Sequence, residues 1–215
     1  MAWHNPLKNK KVLITSGPTW VALDSVRVIS NRSSGKLGRL IAGECVKAGA
    51  KVTMLQGPVK ENIRIKRVTI KPFTFFDELQ RLLGNELKRT YDVVIHAAAV
   101  SDFRPKQASR KKLGSGKGWR LALVPTKKLV DGIKRANPQT LLVGFKLEQA
   151  ISEKTAPAAA KHLFKKAKCD MVVANSMNGG DYRGYLLGKQ GECLAKARSR
   201  PQMAKALVKQ LKGSL

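Results

Sequence analysis

Hydrophobic and polar positions follow two different periods along the chain, and the switches between them predict the order of the elements. Short continuous apolar runs, typical of buried strands, lie at 11–16, 51–57, 63–70, 91–100, 119–124, 140–148 and 169–175. Between them, apolar residues recur at helical spacing at about 34–48, 74–88, 126–136 and 155–168. Strands that alternate with helices predict an α/β fold, in which a Rossmann-like, doubly wound and mostly parallel sheet carries helices on both faces.

Two segments depart from this alternation. The stretch at about 104–118 is rich in Lys, Arg, Gly and Ser, which is too polar for a core element and predicts a basic flap loop. From about 180 to 213, DYRGYLLG, GECLAKA and a final amphipathic run predict a closing hairpin and helix. Because neither an internal repeat nor a low-complexity linker occurs, we expect residues 1–215 to form a single domain.

The charge balance points to anionic ligands. The chain carries 42 Lys and Arg against 14 Asp and Glu, a formal net charge of +28, and such a surface attracts polyanions. The basic residues are spread along the chain, and 104–120 is the dense block. We therefore expect nucleic acid to bind only non-specifically, since a small anionic substrate fits the charge at least as well.

Composition also excludes several classes. No apolar run approaches the roughly 18 residues of a membrane span, and the N-terminus lacks the apolar stretch of a signal peptide, so we expect a cytoplasmic protein with no membrane partner. Cys45, Cys169 and Cys193 lie far apart without neighbouring histidines, which indicates neither a disulfide framework nor a metal site.

The segment VISNRSSGKLG, residues 28–38, stands just ahead of a predicted helix. A helix N-terminus offers unpaired N–H groups and the positive end of a dipole, so its lead-in suits a phosphate or carboxylate. The candidate anion-binding residues are Ser33, Ser34, Gly35 and Lys36. The alternative is that Ser33 or Ser34 only caps the helix. Neither GxGxxG nor GxxxxGK[ST] occurs in the chain.

A second candidate cluster follows the strand at 91–100. Asp102 comes directly after the strand end, and the small residues Ala97, Ala98 and Ala99 allow close approach of a ligand. In such folds ligands bind at the carboxyl ends of the strands. We therefore expect one ligand-binding edge formed by the segments that follow strands, 17–36, 97–112, 145–148 and 174–178. Asp102 is alternatively a turn residue bonded to its own backbone, and His96, inside the apolar run, is interpreted as a core histidine.

Six segments in one order give a resemblance to a known family. TSGPT, LDSVRVISNRSSGKLG, AAAVSDFRP, KLGSGKGWRLALVPTKKLV, VGFKLE and CDMVVAN are similar to segments of the phosphopantothenate-cysteine ligases, also called phosphopantothenoylcysteine synthetases. These are the ligase members of the DNA/pantothenate metabolism flavoprotein C-terminal domain family. The similarity extends from about Lys11 to Asn175 and weakens beyond it.

The resemblance implies a two-step ligation in coenzyme A biosynthesis. The carboxylate of 4'-phosphopantothenate attacks the α-phosphate of CTP or ATP, with Mg²⁺ offsetting the triphosphate charge, and the amine of cysteine then displaces the nucleotide. It also implies a homodimer. Only ten residues precede the first strand, so we expect a stand-alone ligase without a flavin cofactor.

The resemblance further implies roles for individual residues. Asn31 matches the asparagine that holds the acyl group of the intermediate, and Arg27 matches an arginine four positions earlier. Lys112 matches a flap lysine needed for the second step, with Lys111 as a competing assignment. The implied nucleotide-binding residues are Ala97, Ala98, Asp102, Lys127, Lys128, Leu129, Val130, Phe145, Lys161 and Lys165, with Lys166 as an alternative among the helix lysines.

Departures from the family pattern leave two questions open. TWVALD differs from the common acidic, proline-containing form of its segment, which leaves the contacts made there open. AVSDF and FKLE are similar to monofunctional and animal-type members, so CTP is only preferred over ATP. The alternative function is that of a non-catalytic relative that binds nucleotide or nucleic acid through its basic surface.

Overall fold

The structure is a computed structural model that describes residues 7–60, 65–178 and 180–215. The strands are β1 (Lys11–Ser16), β2 (Trp20–Ala22), β3 (Val28–Ser30), β4 (Lys51–Gln56), β5 (Val68–Pro72), β6 (Val93–His96), β7 (Phe103–Pro105), β8 (Leu123–Pro125), β9 (Leu141–Glu148), β10 (Met171–Asn178), β11 (Asp181–Gly188) and β12 (Cys193–Ala197). The helices are α1 (Lys36–Lys47), α2 (Phe76–Glu86), α3 (Val130–Ala136), α4 (Ala156–Lys165) and α5 (Arg200–Ser214).

The described residues form an eight-stranded sheet in the order β12-β11-β10-β9-β6-β1-β4-β5. The six strands from β10 to β5 run parallel, whereas β11 and β12 are antiparallel to their neighbours and form the closing hairpin. Because β1 lies in the middle, Val12, Leu13 and Ile14 are fully buried, as expected for a strand covered on both faces.

Helices cover both faces of the sheet. On one face α1 and α5 bury Ile41, Cys45 and Leu207. On the other face α2, α3 and α4 bury a second cluster that includes Leu79, Ile133 and Leu163. The predicted Rossmann-like, mostly parallel α/β fold is therefore confirmed. None of the helices in the described ranges combines the length and the apolar composition needed to span a bilayer.

Two short antiparallel ribbons depart from the predicted elements. β2 pairs with β3 inside the segment that the sequence suggested was a loop after β1. β7 pairs with β8, so the flap is the segment 106–122 that joins these two strands, and the strand predicted at 119–124 is reduced to β8. The partner of Leu123–Pro125 lies in Phe103–Pro105, a long-range pairing that local periodicity does not report.

The boundaries of two other predicted elements also shift. The helix predicted at 126–136 begins at Val130, because the preceding residues continue the ribbon. There Thr126 N–H donates to Asp102 O at 2.9 Å, and Thr126 Oγ1 donates to Ser101 O. The strand predicted at 63–70 is observed as β5, and its first two residues, 63 and 64, lie outside the described residues.

Candidate functional site

The carboxyl ends of β1, β6 and β9 meet at one edge of the sheet, which we call the carboxyl edge. Its loops are 17–35 after β1 and 97–102 after β6. The two loops are hydrogen bonded to each other, since Ala99 N–H donates to Gly17 O at 2.9 Å and Thr19 N–H donates to Ala99 O at 3.3 Å. Candidate ligand-binding segments that are distant in sequence are thus joined by hydrogen bonds.

Asn31 lies where these two loops meet. Its Nδ2 donates to Val100 O at 3.0 Å and more weakly to Ala99 O at 3.4 Å. The side chain is exposed and so stands beside the end of β6 with one face toward solvent. Because an amide nitrogen carries two N–H donors, Nδ2 can keep the bond to Val100 while the other N–H meets an incoming acceptor.

A buried pair of residues, Thr15 and His96, supports the end of β6. Thr15 Oγ1 accepts from Ala98 N–H at 3.2 Å and is hydrogen bonded to His96 Nδ1 at 3.0 Å. Burial lowers the pKa of His96 to about 4, so the imidazole is neutral near pH 7. His96 is thus the core histidine predicted from the sequence, and its contact with Thr15 fixes Ala98.

The turn SSGKLG packs directly on the end of β1. Gly35 has φ of 62°, a conformation that favours glycine, and its carbonyl accepts from Ser16 Oγ at 3.0 Å. A Cβ on Gly38 would lie 2.5 Å from Ser16 Oγ. Both glycines are therefore required for α1 to begin at the carboxyl edge.

The start of α1 has no side-chain cap. Ser33 Oγ and Ser34 Oγ lie 3.4 Å from the N–H groups of Gly35 and Lys36, which is beyond a normal hydrogen bond. The cap interpretation therefore has little support, and the anion site stays a prediction. Lys36 is exposed at the first position of the helix, where a cation adds to the positive end of the dipole.

The candidate nucleotide residues form a second part of the edge. The exposed carboxylate of Asp102 pairs with Lys128 Nζ, so Asp102 is not the self-bonded turn residue of the alternative interpretation. Lys127 is also exposed, whereas Leu129 and Val130 are buried at the start of α3. Phe145 lies on β9, half-buried, next to the β6 end.

The flap contacts the loop between β2 and β3 through Arg27. Arg27 Nη2 donates to Leu113 O at 3.3 Å, and the guanidinium carbon lies 4.5 Å from the ring centroid of Trp119. Lys112 precedes Leu113 and is exposed. The structure thus brings the two flap-related candidates, Arg27 and Lys112, to the same side of the edge.

Asp24 is a residue of the candidate site that sequence reasoning missed. It is 4% exposed and pairs with Arg27 at 3.3 Å. Backbone N–H groups, above all that of Val26, outweigh its burial and lower the pKa of Asp24 to about 2. A signal was present in the sequence, because Asp24 opens an Asx-type turn in a chain that has few acidic residues.

Lys161 and Lys165 are the candidates that the structure leaves apart. Both are exposed on α4, and among the described residues neither has a hydrogen bond or ion pair with the carboxyl edge. α4 runs away from that edge, so Lys165 lies about 14 Å along the helix from Ala156.

Comparisons with known proteins agree with this doubly wound fold. Residues 7–213 match the model of the DNA/pantothenate metabolism flavoprotein C-terminal domain, and the chain belongs to that family. It is 39% identical over 178 residues to the coenzyme A biosynthesis bifunctional protein CoaBC of Thermococcus kodakarensis, covering 80% of this chain and 42% of that protein. It is 32% identical over 212 residues to CoaBC of Borreliella burgdorferi, covering 94% of this chain and 52% of that protein. The chain spans about half the length of these relatives.

Solved structures share the fold. The crystal structure of the C-terminal domain of CoaBC is 28% identical with a TM-score of 0.80 and covers 98% of this chain and 97% of that one. A Cab2 mutant in complex with phosphopantothenate-cysteine shares the fold at 18% identity, with a TM-score of 0.78, over 96% of this chain and 86% of that one.

Proposed function

We propose that this chain is a phosphopantothenate-cysteine ligase that acts through an acyl-nucleotidyl intermediate in coenzyme A biosynthesis. The observation that carries the proposal is the position of Asn31, whose amide stands between the uncapped start of α1 and the end of β6. An anion held at the helix start and a nucleotide held at the strand end would meet at this amide. Membership of the family supports the same reaction.

In the first step, a carboxylate oxygen of phosphopantothenate attacks the α-phosphorus of the nucleotide. The new O–P bond forms as the bond to the β-phosphate breaks, and pyrophosphate leaves. Gly35 N–H, Lys36 and the neighbouring serines hold the anionic substrate, while Asn31 orients its acyl oxygen. The main contributions are positioning and electrostatic stabilisation, since negative charge accumulates on oxygen atoms.

In the second step, the amine of cysteine attacks the acyl carbon. A C–N bond forms, the C–O bond to the nucleotide breaks, and the nucleoside monophosphate leaves with the electron pair while the amine loses a proton to solvent. The tetrahedral intermediate carries an oxyanion, which the second N–H of Asn31 and the ammonium group of Lys112 stabilise.

The nucleotide lies along Ala97, Ala98 and Phe145, with its base against the stretch from Lys127 to Val130, and CTP is preferred over ATP. Mg²⁺ favours substrate phosphates, water and one or two carboxylates. Asp102 is an exposed carboxylate of the edge that could share an ion brought by the triphosphate, and the ion would offset phosphate charge there. Lys161 and Lys165 stay predictions from the resemblance, and they are the weakest members of the set because neither has a hydrogen bond or ion pair with the edge among the described residues.

The proposed enzyme is a homodimer. Exposed apolar side chains of the two ribbons and the flap support a partner surface: Val26, Val28, Phe103, Leu121 and Leu123. Exposed apolar side chains that form a patch mark protein interfaces, and we infer that a second copy of the chain covers these residues. Phe103→Glu should convert a dimer to a monomer in analytical ultracentrifugation, whereas an unchanged mass would exclude this surface.

The test of function is product formation. Phosphopantothenate, cysteine, Mg²⁺ and either CTP or ATP should give phosphopantothenoylcysteine by mass spectrometry, and the better nucleotide identifies the natural one. The net charge of +28 is the observation that favours the alternative, a non-catalytic polyanion binder. That protein would form no product and would bind RNA or DNA with a steep salt dependence.

A further inference from the structure

A buried carboxylate joins the loop between β2 and β3 to the flap. Asp24 has no exposed side-chain surface. Its Oδ1 accepts from the N–H groups of Val26 at 2.8 Å and Arg27 at 2.7 Å. Its Oδ2 accepts from Leu113 N–H at 3.1 Å and pairs with Arg27 Nη1 at 3.3 Å. Both oxygens of this carboxylate are therefore satisfied, which allows it to remain charged although it is buried.

The flap is held at both ends of the segment that carries Lys112. Leu113 is bound through both of its backbone groups, because its N–H donates to Asp24 and its carbonyl accepts from Arg27. Four residues earlier, Ser109 N–H donates to Leu23 O at 3.2 Å. We call Asp24, Arg27 and Leu113 the clasp. Since Lys112 lies between the two attachment points, the clasp restricts where its side chain can reach.

The charges explain why an acidic residue is needed at this place. The flap and its flanking residues carry Arg104, Lys106, Arg110, Lys111, Lys112, Lys117 and Arg120, which repel the rest of a strongly basic chain. Arg27 would repel them too without a counter-ion. Asp24 neutralises Arg27 and leaves the guanidinium able to stack on Trp119. The part of the flap that carries Trp119 is therefore held through the same ion pair.

We propose that Asp24 is the positioning residue of the flap: through Leu113 and Arg27 it holds the flap against the carboxyl edge and sets the place of Lys112 for cysteine attack. Asp24 contacts no reacting atom. The part that concerns cysteine attack rests on the proposed function, whereas the attachment of the flap is a property of the ligand-free chain.

Hydrogen exchange of ligand-free protein tests the attachment directly. Asp24→Asn keeps the size of the side chain and an acceptor for the turn, but removes the charge that faces Leu113 and Arg27. Exchange in peptides from 106–122 should become at least about tenfold faster, because hydrogen bonds to charged groups are the strong ones. The matched control is Asp77→Asn, since exposed Asp77 pairs with Arg104 at the base of the flap at 3.7 Å. Equal exchange in Asp24→Asn and wild type would overturn the proposal.

A variant on the flap side avoids any loss of folding from a buried substitution. Leu113→Pro removes the N–H that Asp24 accepts and leaves Asp24 in place. It should accelerate exchange as much as Asp24→Asn does, and the double variant should add little to either, as coupled partners do. Fully additive effects would mean that Asp24 and Leu113 act independently and would contradict the clasp.

Kinetics separate this proposal from the proposed function. In Asp24→Asn, pyrophosphate release should continue while acyl-nucleotide accumulates, so the ratio of second-step to first-step rates should fall at least about tenfold. If wild-type protein forms no product, the proposed function fails and the exchange experiment still decides the clasp. If wild type is active and the variant has a loose flap but an unchanged ratio of rates, Asp24 does not position Lys112.

Discussion

The side-chain amide of Asn31 donates to the carbonyl of Val100, which is 69 residues further along the chain, at a distance of 3.0 Å. This bond joins the loop after β1 to the loop after β6. A substrate bound to the first loop and a nucleotide bound to the second would therefore be held in a fixed relative position, as two reactants must be for an entropic contribution to catalysis.

Replacement of this amide tests its role. Asn31→Asp should lower product formation by about 100-fold or more, the effect of losing one such donor in other sites, because a carboxylate repels developing negative charge and cannot donate to Val100. Asn137→Asp is the control, since the side-chain amide of Asn137 also faces a backbone carbonyl, that of Arg89 at 3.5 Å, away from the edge. Activity close to wild type in Asn31→Asp would remove Asn31 from the site.

The flap lysine should matter for the second step alone. Lys112→Gln removes the ammonium group while the backbone contacts of Leu113 remain, so pyrophosphate release should persist and acyl-nucleotide should accumulate in quenched-flow samples. Lys117→Gln, in the same flap, should behave like wild type. If Lys111→Gln gives the accumulation and Lys112→Gln does not, the functional lysine is Lys111.

The contact between α1 and β1 predicts opposite effects for two glycines of one helix. A methyl group on Gly38 would lie 2.5 Å from Ser16 Oγ, whereas a methyl group on Gly43 would meet no atom within 4 Å apart from its chain neighbours and the backbone of its own helix. Gly38→Ala should destabilise the fold by roughly 1–3 kcal/mol and raise KM for phosphopantothenate. Gly43→Ala should stabilise it by up to about 1 kcal/mol. Urea unfolding and steady-state kinetics measure both, and equal stability in the two variants would disprove the close contact.

His96 predicts a particular pH dependence of stability. Its pKa is about 4 in the folded protein and about 6.5 when unfolded, so between these values only the unfolded chain takes up a proton. Stability therefore falls as pH falls from about 6.5 toward 4. Between about pH 7.5 and pH 5 this amounts to about 2 kcal/mol. His96→Gln, which keeps a polar partner for Thr15, should lose that share of the pH dependence in urea unfolding, and an unchanged dependence would show that His96 is not the cause.

The sheet could be predicted from the sequence because its strands are continuous apolar runs that alternate with helices. The start of α1 and the cluster after β6 could also be predicted, since both follow a predicted strand. The two ribbons could not be predicted, because β7 and β8 are three residues each and depend on partners that are far apart in sequence. The Asx-type turn marks Asp24 locally, but its role comes from Leu113, 89 residues away, which local patterns cannot report.

Pyrophosphate release measured with and without cysteine tests the central claim most directly. With phosphopantothenate, Mg²⁺ and the preferred nucleotide, wild-type protein should release pyrophosphate without cysteine, up to the amount of enzyme, and should turn over with formation of phosphopantothenoylcysteine once cysteine is added. Asn31→Asp should show neither phase. Absence of release with both CTP and ATP, from protein that is folded and dimeric, would contradict the ligase assignment.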